Sequence, residues 1–514
     1  MCPDSGVHTV EGMKHSLRCA HPAARAAAVA VALTLTGCSS PEIDVPADFG
    51  QPLMIPPLAE SHVDASGTRI FDLTARGGTT EFTAAGATET MGYNGTFLGP
   101  TLRAARGEKV AVNVTNSLAE ATSVHWHGMH LPAAMDGGPH QEVAPGATWR
   151  PEWIIDQPAA TLWYHPHPHG RTEEQVYRGL AGMFILDDPD TASSGLPGTY
   201  GVDDIPLIVQ DKQFTADGQW SLKNDGNEIG VLGSTTMVNG SIGAVQQVTT
   251  EQVRLRLLNG STARIYNFGF ANDRPFQVVA TDGGLLQAPL ERRNIQLSPG
   301  ERAEIVLSLA PGEETMLRSS KPDLGAVAAS FAFGGEDSFD LLKLQAAPVL
   351  QPSAKISPRL ATFAPDEEAA SVTRSFTLAG REINGRKMDM DRIDQTVALG
   401  ATEIWEVRSR NSFPHNFHIH DVQFQILSID GAEPPEHLAG RKDTVYLSPR
   451  KTYRLIMSFE DYADPDVPFM YHCHLLLHED EGMMGQFTVT DPAADAGVSK
   501  PGPDHDRGHA GHRH

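Results

Sequence analysis

Three Asn-Gly pairs, Asn94-Gly95, Asn239-Gly240 and Asn384-Gly385, stand 145 residues apart in both steps. Each leads into a segment of alternating apolar residues ending in Asn: Val110–Asn116, Val253–Asn259 and Ile404–Asn411. One Asn-Gly pair signals only a tight turn, because both residues tolerate left-handed backbone. Three in equal register, each feeding the same kind of strand, predict three copies of one unit. From about residue 62 the text is strand-like, with short runs of Val, Ile, Leu, Phe and Thr broken by Gly, Pro, Asn and Asp. Pro-, Ser- and Gly-rich breaks at Asp187–Gly201 and Ala346–Pro358 mark the joints. The chain, 514 residues and too long for one ordinary domain, is therefore expected to be all-β, with sandwiches at 62–190, 204–346 and 359–491.

The histidines follow a different distribution. His-x-His occurs as His125-Trp126-His127, His165-Pro166-His167, His418-Ile419-His420 and His472-Cys473-His474, two pairs in the first third and two in the last. On a strand both members of such a pair share a face. If the first and third sandwiches pack together, eight imidazoles converge between them. That is too many for one zinc and suits a cluster of several coppers with open positions for an oxidant. Within the last pair Cys473 points the opposite way. A Cys with two His and a weak, distant Met is the ligand set of a blue-copper electron-transfer centre. His478, five residues on, and Met483, ten on, can return to that metal, and His415, three before His418, supplies the second imidazole.

A formal net charge of −24 excludes nucleic-acid backbone as a partner class, since that needs clustered Lys and Arg. The segment Lys14–Cys38 has a positive start, an Ala/Val/Leu-rich middle and the ending Leu35-Thr36-Gly37-Cys38. That is a secretory signal layout whose Leu-x-Gly-Cys ending resembles a bacterial lipobox. It predicts a lipid anchor at Cys38 as the only membrane attachment and an extracytoplasmic location, with 39–61 as a linker. Met13 reads as a better start than Met1. Cys473 is then the only cysteine of the mature body, a lone thiol that metal ligation accounts for. The stretch 492–514, with His505, His509, His512 and His514, reads as a solvated, disordered tail.

Four motifs give a resemblance over roughly residues 62–490: His125-Trp126-His127-Gly128, Trp163-Tyr164-His165-Pro166-His167, His415-Asn416-Phe417-His418-Ile419-His420, and His472-Cys473-His474 with His478 and Met483. The sequence resembles the three-domain multicopper oxidases, the bacterial laccase and cuprous-oxidase group. Asn416 departs from the Pro usual there, with the ligand spacing intact. The resemblance implies three consecutive cupredoxin-like Greek-key β-sandwiches, the middle one a spacer, and four copper ions. A type 1 copper would sit on His415, Cys473, His478 and axial Met483, and a type 2 copper on His125 and His418. A type 3 pair would use His127, His165, His167, His420, His472 and His474. Electrons from a small organic or metal-ion reductant would pass from Cys473 to the cluster, where dioxygen becomes water. Asp136, in Met135-Asp136-Gly137-Gly138-Pro139, matches the proton-relay Asp, and Glu479 is the second acid candidate. His169 lies outside the ligand pattern.

The cuprous oxidases of this group carry a methionine-rich insertion. Only Met388-Asp389-Met390 stands between Pro348 and Ile404 here, so the type 1 site is expected to be uncovered and phenols to be oxidised faster than Cu(I). Two other classes compete: a copper-free scaffold of the same fold, and a pure electron carrier needing only the Cys473 site.

Overall fold

The computed structural model describes residues 42–493 apart from Pro46. The signal-type segment with Cys38, and the histidines of the tail, lie outside the described residues. Within them strands make up nearly all of the regular structure, with short α-helices at Thr172–Tyr177 and Leu476–Asp480. No helix there is long and apolar enough to cross a membrane.

Three sandwiches follow one another. The first joins a sheet built around Arg69–Thr83 and Lys109–Asn116 to a four-stranded sheet of Leu102–Ala105, Gly182–Asp187, Ala160–His165 and His125–His127. The second stacks two six-stranded sheets, the third two five-stranded ones. Each buries a core between its own sheets, led by Trp126 and Phe184 in the first, Phe268 and Ile305 in the second, and Trp405 and Phe487 in the third.

The repeat has a structural counterpart at its turns. In every unit an early strand pairs in parallel with the apolar segment that follows the Asn-Gly pair: Arg69–Thr83 with Lys109–Asn116, Asp204–Lys212 with Gln252–Asn259, and Ala370–Ala379 with Thr402–Ser409. Parallel partners need a crossover connection, and the Asn-Gly turn lies within it. The three asparagines take left-handed backbone, with φ of 58°, 51° and 54°, which Asn tolerates better than other side chains. Each then clamps its early strand. Their Oδ1 atoms accept from Thr74, Ile208 and Thr377 N–H at 2.7, 2.8 and 2.8 Å, and their Nδ2 atoms donate to Asp72, Pro206 and Ser375 carbonyls. In the second and third units the pair makes a two-residue turn bridging Val238 to Ser241 and Ile383 to Arg386. In the first it widens, and Tyr93 N–H reaches the Leu98 carbonyl.

The stretch read as a linker is tied down from Glu42 onward. Glu42–Ile43 pairs with Phe214–Thr215, and Gln51–Pro52 adds a parallel strand beside Ala244–Thr250 of the middle sandwich.

Candidate metal centre

Strand register assembles the histidines. In the first sandwich His125 faces His165 across an antiparallel pair, with Trp163 opposite His127. Between them Trp126 points the other way into the core, beside Trp153 and Phe184. In the third sandwich His418 faces His472. The two sets meet at the seam between the outer sandwiches, where Nε2 atoms of His167 and His472 lie 3.3 Å apart, those of His165 and His474 3.4 Å, and those of His125 and His418 3.5 Å. All eight imidazoles are buried.

In four of the rings the outer nitrogen is held by a partner. His125 and His418 donate from Nδ1 to the Asp136 and Asp443 carbonyls at 3.0 and 2.8 Å, and His165 to the Pro166 carbonyl at 2.8 Å. His420 donates to Asp136 Oδ2 at 2.7 Å. The inner Nε2 atoms therefore carry lone pairs. Burial drives the rings of His127, His165, His418 and His420 well below the ordinary histidine pKa, reinforced by repulsion from neighbouring rings. Burial also takes His167 and His474 to about 3. Neutral nitrogens facing one another at 3.1–3.5 Å repel unless a cation lies between them. The buried Nδ1 atoms of His127 and His474 have no hydrogen-bond partner at all. This donor set fits copper, which favours imidazole.

Asp136 and Glu479 both reach the cluster. The turn carrying Asp136 depends on Gly137, at φ 78°, whose Cβ would fall 1.8 Å from the Val124 carbonyl oxygen. Glu479 Oε1 and Oε2 lie 3.3 and 3.2 Å from His167 and His472 Nδ1. Burial alone would raise its pKa, but these imidazoles hold the carboxyl well below the usual range.

Cys473 faces away from the cluster, as the strand alternation requires. Its Sγ lies 3.5 Å from His415 Nδ1 and 3.4 Å from His478 Nδ1, and the three form one compact, buried ligand group. Met483 is fully buried, its carbonyl accepting from Cys473 N–H at 3.2 Å. Burial pushes the thiol up to about 12, so only a bound cation would hold the thiolate there. The same chain segment thus carries both sites: Cys473 to one, His472 and His474 to the other.

The site is covered, contrary to the expectation of an open one. His478 Nε2 donates to the Glu228 carbonyl of the middle sandwich at 2.7 Å, and His415 Nε2 lies 2.6 Å from the Asn411 amide. Phe413 packs on both rings with Phe333 beside it. Arg381 ties Glu228 to Glu481 above them. Met388 and Met390 are half-buried, and the Met388 N–H bonds the Gly482 carbonyl at 2.8 Å. His169 is exposed.

Sequence reasoning passed over three residues. Asn416, set aside there as a neutral departure, accepts from His474 N–H through Oδ1 at 2.6 Å and donates through Nδ2 to the Pro299 carbonyl at 2.8 Å. Asp443 and Arg302 form an ion pair against His127. In the sequence they are a charged residue beside Lys442 and another on a middle-domain strand, and only the packing of three domains joins them.

Three family models, each described as multicopper oxidase, match residues 75–191, 203–317 and 357–493. The multicopper oxidase mco of Staphylococcus haemolyticus is 36% identical over 449 residues, covering 85% of this chain and 92% of its own. The cell division protein FtsP of Escherichia coli is 34% identical over 447 residues, covering 85% and 93%. Among solved structures, a bacterial laccase-like multi-copper oxidase CueO from Ochrobactrum sp. aligns with a TM-score of 0.78 at 37% identity, over 85% of this chain and all of that one. A laccase from Pediococcus acidilactici aligns with the same TM-score at 33% identity, over 88% and 96%.

Proposed function

Because the chain belongs to the multicopper oxidase family, we propose that it is a laccase-like oxidase taking single electrons from small phenol-type reductants at the Cys473 site. Dioxygen is reduced to water at the eight-histidine cluster. The observation that carries this reading is the completeness of the donor set: eight buried imidazoles with lone pairs turned inward, beside a separate Cys–His–His group joined to them through one tripeptide. Four coppers, one at His415, Cys473, His478 and Met483 and three on the histidine cluster, would supply the one-electron redox chemistry and the dioxygen binding.

The protein's own groups do the rest. The peptide links from Cys473 to His472 and His474 give a covalent path between the sites. Asp136 fixes His420 through Oδ2 and can pass a proton toward the seam, and Glu479 serves as the second carboxylate there. The Glu228 carbonyl over His478 keeps reductants from direct contact with that imidazole and favours donors that deliver electrons across a short gap. Although the site is covered, the absence of a methionine-rich insertion leaves few thioethers to collect Cu(I), and this supports phenols. So does the Ochrobactrum relative, a laccase-like enzyme with oxidase activity towards lignin model compounds and lignosulfonate. Export and lipid attachment at Cys38 complete the reading.

A copper-free role is the second reading, favoured by the similarity to a cell division protein. Metal analysis of purified protein decides between them: about four coppers per chain supports the oxidase, one an electron carrier, none the scaffold. Oxygen uptake with a substituted phenol and with chelated Cu(I), in wild type and in Met388→Ala/Met390→Ala, tests the substrate. A strong Cu(I) preference that the double variant loses would make the protein a cuprous oxidase.

A further inference from the structure

His127 is turned the other way from the rest of the cluster. Its Nε2, the nitrogen that in His125, His165, His418 and His420 faces inward, lies 2.9 Å from Asp443 Oδ1 and 3.0 Å from Thr444 Oγ1. Its Nδ1 has no hydrogen-bond partner, although the ring stacks on His418 at 3.7 Å and an atom of it groups with His125 and His165. A carboxylate can only accept, so Nε2 keeps its proton and donates it in a hydrogen bond to Asp443, which leaves the lone pair on Nδ1.

Asp443 is not free to do otherwise. Arg302, from the middle sandwich, grips both of its oxygens, Nη1 to Oδ1 and Nη2 to Oδ2, each at 2.7 Å. Arg302 is in turn fixed by its Nε on the Thr161 carbonyl of the first sandwich at 2.9 Å and by its Nη2 on the Asp282 carbonyl at 3.0 Å. Lys442 joins Asp282 and Glu301 behind it at 2.8 and 3.0 Å. Every member of this network is buried. The first sandwich makes room for it at Gly128, φ 88°, where a Cβ would meet Arg302 Nη2 and Asp443 Oδ2, each at 2.6 Å. A planar guanidinium on both carboxylate oxygens fixes orientation as well as charge.

We propose that Asp443, clamped by Arg302, is a positioning residue that selects the Nε2-protonated form of His127 and so presents Nδ1 to the metal cluster. The middle sandwich then holds a ligand of the outer two in register without supplying one. This rests on the copper reading above, and a carboxylate behind a ligating histidine commonly changes metal affinity 10–100-fold.

The test has two arms. In metal-free wild-type protein, nitrogen NMR of the imidazoles should show His127 protonated at Nε2. The opposite tautomer overturns the proposal, whether or not any variant folds. In copper-loaded protein, Asp443→Asn puts an amide N–H₂ against either Arg302 or His127. Its cluster copper should be lost to a competing chelator at roughly 10–100-fold lower concentration than in wild type, while the blue absorption of the Cys473 site persists. Arg302→Lys, which keeps the charge but not the fork, should fall between. Asp443→Asn that resists the chelator as wild type does overturns the proposal. Wild-type protein that takes up no copper overturns the copper reading instead, and the tautomer measurement still decides the role of Asp443.

Discussion

Cys473 and Asn416 show two ways in which a single residue acts on the segment that joins the two sites. Cys473→Ser keeps the side chain's shape but removes the sulfur, so the intense blue absorption and oxidase turnover should both vanish while cooperative unfolding is retained; a variant that stays blue refutes the ligand assignment. Asp136→Ala should leave that colour unchanged and slow reoxidation of the reduced protein by dioxygen by about 10²–10⁴-fold, the usual scale of a lost proton carrier. Slowing of phenol oxidation alone would remove Asp136 from the proton path. Asn416 illustrates what a sequence hides. The Cys–His–Met spacing declares its chemistry because ligand type is intrinsic to those side chains. An asparagine declares nothing: its bond to His474 needs a segment 58 residues further on, and its bond to the Pro299 carbonyl needs a neighbouring domain. Asn416→Ala should orphan the buried His474 N–H and lower stability by about 1–3 kcal/mol, read from denaturant unfolding of the metal-free protein.

At the level of the element, the three Asn-Gly turns were legible by spacing alone, and their strand clamps were not. A turn signal is local, whereas the clamp joins the Asn to a strand about twenty residues earlier in the first unit and thirty in the second. The three sites also differ in exposure. Asn239 is buried, while Asn94 and Asn384 are exposed. Replacement by Ala removes two hydrogen bonds and forces left-handed backbone on a poor residue for it. Asn239→Ala should therefore cost about 2–4 kcal/mol and the exposed pair about half that, measured as a fall in denaturant midpoint. Equal losses at all three would mean that the turn conformation, and not the clamp, carries the effect. The cover over His478 lay beyond the sequence for a related reason: the Glu228 loop has turn composition, and nothing in it names the domain it lies upon.

For the molecule as a whole, the histidines that make the seam also make it acid-sensitive. His167 and His474, held near 3 when folded, are protonated near 6.5 when unfolded. The unfolded chain binds more protons between those values, so stability is full above pH 6.5 and falls as the pH drops through that window. The slope is about 1.4 kcal/mol per pH unit for each such residue. Metal-free protein should lose thermal stability steeply below about pH 6.5, and copper loading should protect it. A flat profile in the metal-free form would contradict the buried, neutral cluster. On the alkaline side, His130 bridges the outer sandwiches by bonding Asp421 Oδ1 at 2.7 Å. Burial alone would lower its pKa, but that carboxylate raises it to about 9. This contribution is fully present below pH 6.5 and disappears as the pH rises through about 9. Desolvation of Asp421 opposes part of it, leaving about 1–2 kcal/mol, and His130→Gln should flatten the alkaline decline in unfolding free energy, read from denaturant unfolding, by that amount.

The seam also imposes an order in time. His167 and His472 touch across 305 residues of chain, so four imidazoles must wait, unpaired, while the middle and last sandwiches are being synthesised. Cys473, His474 and His478 emerge only after the first and middle sandwiches, and the strand Met484–Thr490 that pairs beside them follows later still. Contacts of such separation form late and slowly. A metal that needs both histidine sets can settle only after the first and third sandwiches have met. Chains stalled or cut before His472 would keep their first-domain histidines as loose pairs, weak and unselective scavengers in place of a cluster.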